Sequence, residues 1–307
     1  MIAVDCPVCE GARRTVLFPA NFDASRMDGG MFAVKGRSRA PHYQVNRCSD
    51  CGMVYSSPLL EPAALARLYR EFPHENTCER EVGNVMATSR QYYALARPHV
   101  VKRERVLDIG CDIGLFLTSA RADGFRELYG IEPNRRAADR AKALLGAKIL
   151  DGLYEEAEFP GGHFNLISMI HVLDHLVDVN DTLRRARSHL TQGGVIIAVV
   201  HDVDSWLSRL LGERFPPFNI QHNHFFSKTT LRRLFLKHGF AVVDVRATWN
   251  RYSLGYFIEN IPAVPAPVKK HVARWVDAIG LGSVPLRIPL GNIGIVARRL
   301  PEPEVVG

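Results

Sequence analysis

From Arg105 onward, short apolar runs alternate with segments whose apolar residues recur every three or four positions. Runs of four to seven residues bounded by Gly, Asn or Asp read as strands, and the longer 3.6-periodic segments as helices. The pattern predicts strands over 105–109, 128–131, 147–150, 164–170, 195–200, 240–246 and 292–298. Helices are predicted between them over 115–122, 135–145, 179–190 and 228–237, the last capped by Ser227. Alternation of this kind implies an α/β fold, a parallel sheet with helices on both faces. Upstream, 59–72 and 85–97 read as helices, with Leu65 and Leu68-Tyr69 at helical spacing in the first. Two stretches break the pattern, 202–226 and the proline-rich 252–290, and read as insertions covering the ligand edge of the sheet. Within the second, Val268, Val272, Trp275-Val276 and Ile279 interleave with Lys269, Lys270 and Arg274 at helical spacing. A lid or dimer helix is the favoured reading, ahead of one resting on a membrane surface or gripping a lipid-linked sugar.

Composition changes this picture little. The chain of 307 residues is 47% hydrophobic and 23% charged, enough to bury a sizeable core. No apolar run reaches the ~18 residues of a membrane span. MIAVDCPVCE lacks a basic segment followed by an apolar one, so no signal peptide is expected and a cytoplasmic protein is the default. The formal charge of +7 permits nucleic acid or an anionic surface, but is ordinary for an enzyme with acidic substrates.

The cysteines add a module. Cys6-Pro-Val-Cys9 and Cys48-Ser-Asp-Cys51-Gly52 are two C-x-x-C turns far apart in sequence, the pattern of a four-thiolate zinc site. Four thiolates leave no open position, so this zinc is expected to staple a ribbon-like head rather than to catalyse. Cys78 and Cys111 are left over as reduced thiols. The expected organisation is a zinc-binding module over 1–57, a helical linker over 58–100 and a catalytic domain over 101–307.

The first strand of the repeat ends in Asp108-Ile109-Gly110-Cys111-Asp112-Ile113-Gly114, a Gly-rich turn opening a helix. A dinucleotide fingerprint would need glycines at 110, 112 and 115, but Asp112 and Leu115 stand there. An aspartate repels a pyrophosphate, and no phosphate-loop lysine is present. S-adenosylmethionine (SAM) fits better, because a carboxylate such as Asp108 can hold its cationic methionine end. Glu132, at the end of the next strand, is placed to accept both ribose hydroxyls.

With those acids in place, the chain resembles class I SAM-dependent methyltransferases. VLDIGC (106–111) is similar to the family's first motif and GIEP (130–133) to its second. Phe164-Asn165-Leu166-Ile167, His171-Val172-Leu173-Asp174-His175-Leu176 and Leu190-Thr191-Gln192-Gly193-Gly194 resemble its later elements. The similarity runs from about residue 85 to 299 and implies a seven-stranded sheet with the last strand antiparallel. Asp112, Asn165, Asp174 and Gln192 depart from the usual Gly, Asp, Glu and Pro. The implied cofactor contacts are Asp108, Gly110, Cys111, Asp112 and Gly114, then Glu132 and Pro133. Asp151, Gly152 and Leu153 follow on the adenine side, and His171 lies nearby. Together with the cysteine head, the chain resembles a bacterial branch that includes sugar C-methyltransferases.

Methyl transfer to oxygen or carbon usually needs a base. His222 matches a histidine of the same branch within Gln221-His222-Asn223-His224-Phe225-Phe226, and His224 is its neighbour. His201 ends the fifth strand on the ligand edge. For His171 and His175 a structural role is favoured. The expected substrate is a small molecule, a sugar or nucleotide-sugar, free or lipid-linked. An RNA methyltransferase with a zinc head is the runner-up, although the basic residues of the zinc loop, Arg37, Arg39 and Arg47 among them, are scattered and form no obvious stacking platform. A SAM-binding partner protein without catalysis is the third reading.

Overall fold

The computed structural model describes residues 1–23, 40–71, 79–261 and 264–301. Arg37, Arg39, Cys78 and the end of the helix expected over 59–72 lie outside them. Seven strands form the main sheet: β4 (Arg105–Ile109), β5 (Glu127–Glu132), β6 (Lys148–Asp151), β7 (Phe164–Ile170), β8 (Leu190–His201), β10 (Phe240–Ser253) and β11 (Pro285–Arg299). Their order is β10-β11-β8-β7-β4-β5-β6. β8, β7, β4, β5 and β6 are parallel to one another, whereas β11 runs antiparallel to both of its neighbours. The chain therefore winds outward from β4 to β6, returns to β7 and winds the other way. That reversal opens a crevice between the carboxyl ends of β4 and β7, where ligands bind in such sheets.

Both faces of the sheet are covered, which is why its strands read as continuous apolar runs. Val106, Leu166, Ile197 and Val199 face the helices Val82–Ala96, Leu115–Ala122 and Arg135–Leu145. Their sequence neighbours Leu107, Ile167, Ile196 and Ala198 face Val179–His189 and Lys228–Lys237. The expected cap is present, the Ser227 hydroxyl accepting from the Thr230 amide.

The second sheet pairs β1 (Arg14–Phe18), β2 (Val45–Cys48), β3 (Val54–Ser56) and β9 (His224–Phe225) in that order. The cysteine-bearing head thus does not close its own sheet. Its last strand comes from the 202–226 insertion, with Val54 opposite Phe225 and Tyr55 opposite His224. The other insertion is largely regular. β10 and β11 continue past the sheet as a two-stranded ribbon, Ser253 opposite Pro285, with helices Leu254–Asn260 and Ala266–Ala278 in the connection. The second of these helices turns Ala273 and Val276 inward and leaves Val268, Val272 and Trp275 exposed. Among the described residues, no helix is long and apolar enough to cross a membrane.

Candidate active site

At the tip of β4 the backbone enters the left-handed region at Gly110, Asp112 and Gly114. A side chain at Gly110 would strike Val172, and one at Gly114 would strike Leu145, so the turn packs as only glycine allows. Asp112 tolerates that conformation better than most residues. The turn presents two buried acids. Asp108 accepts a 2.7 Å hydrogen bond from the Ser168 hydroxyl. Glu132 accepts from the Asp112 amide at 2.9 Å and from the Asn134 amide at 2.8 Å. Burial pushes both carboxyls up to about 7, and their mutual repulsion adds to the rise at Asp108.

These acids line a cavity of about 580 Å³, together with Gly110, Cys111, Asp112, Pro133, Gly152 and Leu153. The same cavity holds four histidines from three separate segments. His201, at the tip of β8, places Nδ1 2.8 Å from Asp174 Oδ2. His222 Nε2 lies 3.7 Å from the same carboxylate oxygen, and His175 Nε2 lies 4.0 Å from Asp174 Oδ1. The His171 and His201 rings are 5.0 Å apart, and those of His175 and His222 are 4.2 Å apart. Asp174 is 1% exposed. Burial opposes its charge, but the His201 hydrogen bond and the surrounding imidazoles hold its carboxyl low. Burial takes His171 down to about 3 and His222 well below its ordinary value.

Residues 79–245, more than half of the chain, match a methyltransferase domain family. The chain belongs to that family. The fold agrees: a SAM-dependent methyltransferase from Thermotoga maritima superposes with a TM-score of 0.50 at 19% identity, covering 76% of this chain and 99% of that one. A chain of the Haloferax volcanii complex between the Trm112 methyltransferase activator and a methyltransferase gives 0.54 at 13% identity, covering 76% and 96%. No curated protein sequence matches. By domain and fold the protein is a SAM-dependent methyltransferase.

In this methyltransferase, the residues expected to meet the cofactor line the cavity, apart from Gly114 and Asp151, with His171 set in the histidine cluster rather than beside the acids. Gly114 shapes the turn from behind, and Asp151 is exposed opposite Glu132 at the tip of β6. His171, His201 and His222 line the cavity and His224 does not. In β9 its backbone pairs with Tyr55, and its buried ring has its pKa lowered to about 4 by desolvation.

A further polar group lining the cavity escaped the sequence reading. The Tyr92 hydroxyl donates to Asn250 Oδ1 at 2.8 Å, and Asn250 Nδ2 donates to the Tyr252 hydroxyl at 2.8 Å. Asn250 and Tyr252 alternate along β10, a period-two signal that the helix-forming and proline-rich residues beyond it obscured.

The four head cysteines also converge. Cys6 Sγ lies 3.4 Å from Cys51 Sγ and Cys9 Sγ 3.4 Å from Cys48 Sγ, and all four sulfurs are within 4.8 Å of one another. A tetrahedral zinc thiolate site has sulfurs about 3.8 Å apart, so the four could hold that ion. The two turns match in detail. Glu10 and Gly52, each following the second cysteine, both adopt positive φ. Their amides donate to the Cys6 and Cys48 carbonyls.

Proposed function

We propose that the protein transfers a methyl group from SAM to a small-molecule acceptor of the sugar or nucleotide-sugar class, with zinc held structurally by Cys6, Cys9, Cys48 and Cys51. One observation carries this reading. A single cavity of small-molecule size joins two buried acids suited to SAM with an Asp174–His201 pair suited to proton removal.

When bound, SAM supplies an electrophilic methyl on a sulfonium. Asp108 would hold the cationic methionine end and Glu132 the ribose hydroxyls. Asp108 and Glu132 carry a negative charge only once ionised, and a cationic ligand favours that form. The carboxylate of Asp174 accepts the Nδ1 proton of His201 and so fixes the tautomer that leaves a lone pair on Nε2. That nitrogen is the base of the proposal. It takes the proton of an acceptor hydroxyl or activated carbon as the nucleophile gains the methyl. The arrangement follows the general logic of a carboxylate orienting a catalytic imidazole. His222 is the second candidate for acceptor contact.

The test uses methyl-labelled SAM, purified protein and an extract of the source cell divided into nucleic acid, protein and small-molecule or glycolipid fractions. Label in the last fraction supports the reading. Label released by nuclease replaces it with an RNA methyltransferase.

A further inference from the structure

His222 carries a contradiction that its neighbours explain. Asn219 Nδ2 donates to the Pro216 carbonyl at 2.9 Å, and its Oδ1 accepts the Gln221 amide at 2.8 Å, so the orientation of this side chain is fixed. Oδ1 lies 3.1 Å from His222 Nδ1, which must therefore be the protonated ring nitrogen. In the neutral ring, the lone pair then sits on Nε2. It faces a buried carboxylate oxygen at 3.7 Å, too far for a hydrogen bond, and no polar group satisfies it. That oxygen is Asp174 Oδ2, which accepts from His201; the other, Oδ1, is equally buried, lacks a hydrogen-bond donor and lies 4.0 Å from His175 Nε2. An unsatisfied imidazole lone pair and an unsatisfied carboxylate oxygen in one buried cluster are costly, and a cation held among them removes that cost. A proton on His222 Nε2 would not bridge the gap to Oδ2, because 3.7 Å is beyond the range of an N–H···O bond.

We propose that Asp174, His175 and His222 bind a divalent first-row metal ion at the end of the cavity. One donor atom from each lies within 4.8 Å of those of the other two. Ligands about 2.1 Å from one ion can be up to about 4.2 Å apart, which spans the 3.7 Å and 4.0 Å separations from Asp174 to the two histidines. Two imidazoles and a carboxylate suit zinc, manganese or iron(II) and leave coordination positions open. The groups behind them are arranged as around a metal. His222 donates Nδ1–H to Asn219, His175 faces the Gln221 carbonyl, and Asp174 accepts from His201. The alternative trio of His171, Asp174 and His201 is disfavoured, because the His201 Nδ1 proton already fills the 2.8 Å gap to Asp174.

Both ligating histidines line the cavity, so an open position faces the acceptor. The ligand class that fits is an oxygen donor: a hydroxyl, or a hydroxyl beside a carbonyl, as sugars and related metabolites carry. This last step rests on the small-molecule reading above, while the metal site itself does not.

The experiment loads the purified full-length protein with Co²⁺, removes free ion by dialysis, and measures cobalt content and the absorption spectrum. Two ions per chain are expected. One shows sulfur-to-cobalt charge transfer from the cysteines, and the other only the ligand-field bands of nitrogen and oxygen donors. His175→Gln and Asp174→Asn should each lose the second ion and keep the first, whose thiolate bands report that the head remains folded. Mn²⁺, which avoids thiolates, should bind once to the wild type and be released at least tenfold more readily from His175→Gln, followed by electron paramagnetic resonance. A single thiolate-bound Co²⁺ with no bound Mn²⁺ in the wild type overturns the proposal. So does a second Co²⁺ that survives both substitutions. None of these readouts requires methyl transfer, so failure of the acceptor reading would leave them unchanged.

Discussion

At the scale of single residues, burial and hydrogen bonding set the chemistry. Asp108 and Glu132 have carboxyls raised from ordinary values of 3.8 and 4.5 to about 7, chiefly by desolvation. Between about pH 4 and 7 the folded protein therefore holds more protons at these sites than the unfolded chain. Their contribution to stability falls as pH rises through that window. Cationic SAM reverses the penalty by favouring the ionised forms. The stabilisation of Tm by SAM should therefore grow from about pH 6 to about pH 8, and a flat increment in a thermal-shift series would contradict it. Asp108→Asn should weaken SAM binding roughly 10- to 100-fold, the scale of one lost hydrogen bond to a charged group, and flatten that pH dependence. If His201 is the base, as proposed, His201→Gln should lower kcat by about 10²–10⁴-fold with the Kd for SAM unchanged. Equal losses of turnover and SAM affinity would remove His201 from that role.

Elements with strong periodicity were legible in the sequence, because both the strand and helix patterns in them reflect burial on a fixed face. The strands Arg105–Ile109 and Phe164–Ile170 and the helices Leu115–Ala122 and Arg135–Leu145 lie where the pattern puts them. The ends of β10 and β11 were not legible. Leu286, Ile288 and Leu290 alternate with more exposed residues, as a strand should, but Pro285 and Pro289 read as breakers. On a two-stranded ribbon, a proline whose missing N–H would face outward costs no ladder bond. The helix Ala266–Ala278 shows the opposite failure. Its periodicity is real, yet Val268, Val272 and Trp275 face outward, because the packed side is set by Ala273 and Val276. The Gly-rich turn gives an element-scale prediction. Gly114 holds φ +83 against Leu145. Gly114→Ala should cost about 1–3 kcal/mol through strain and overpacking, measurable in urea unfolding. An unchanged midpoint would show that the helix can shift to absorb the methyl.

Over the whole molecule, the head and the catalytic body share a sheet. β9 completes the ribbon of the head, and His222 lies just before it, with the Ser56 amide bonded to the Asn223 carbonyl at 2.8 Å. Loss of an ion held by the four cysteines should therefore reach the histidine end of the cavity before it reaches the end built on β4 and β5. Cys48→Ser is expected to reduce kcat at least tenfold while SAM affinity, measured by calorimetry, changes by less than about threefold. Parallel loss of both would indicate that the head supports the whole sheet rather than its acceptor edge.

The sequence by itself determined the alternation of strands and helices, the two C-x-x-C turns, and the spacing of Asp108 and Glu132 across one strand-helix-strand step. These are short-range properties, fixed by periodicity and by a few neighbouring residues. Only the tertiary structure decided which histidines meet. His171, Asp174 and His175 follow β7, His201 ends β8 and His222 precedes β9, so their convergence depends on strand order and on where an insertion docks. It also separated His222, with Nδ1 held by Asn219 and Nε2 turned to Asp174, from His224 two residues later, whose backbone pairs with the head. Local patterning cannot carry that distinction, because it arises from packing between segments distant in the chain.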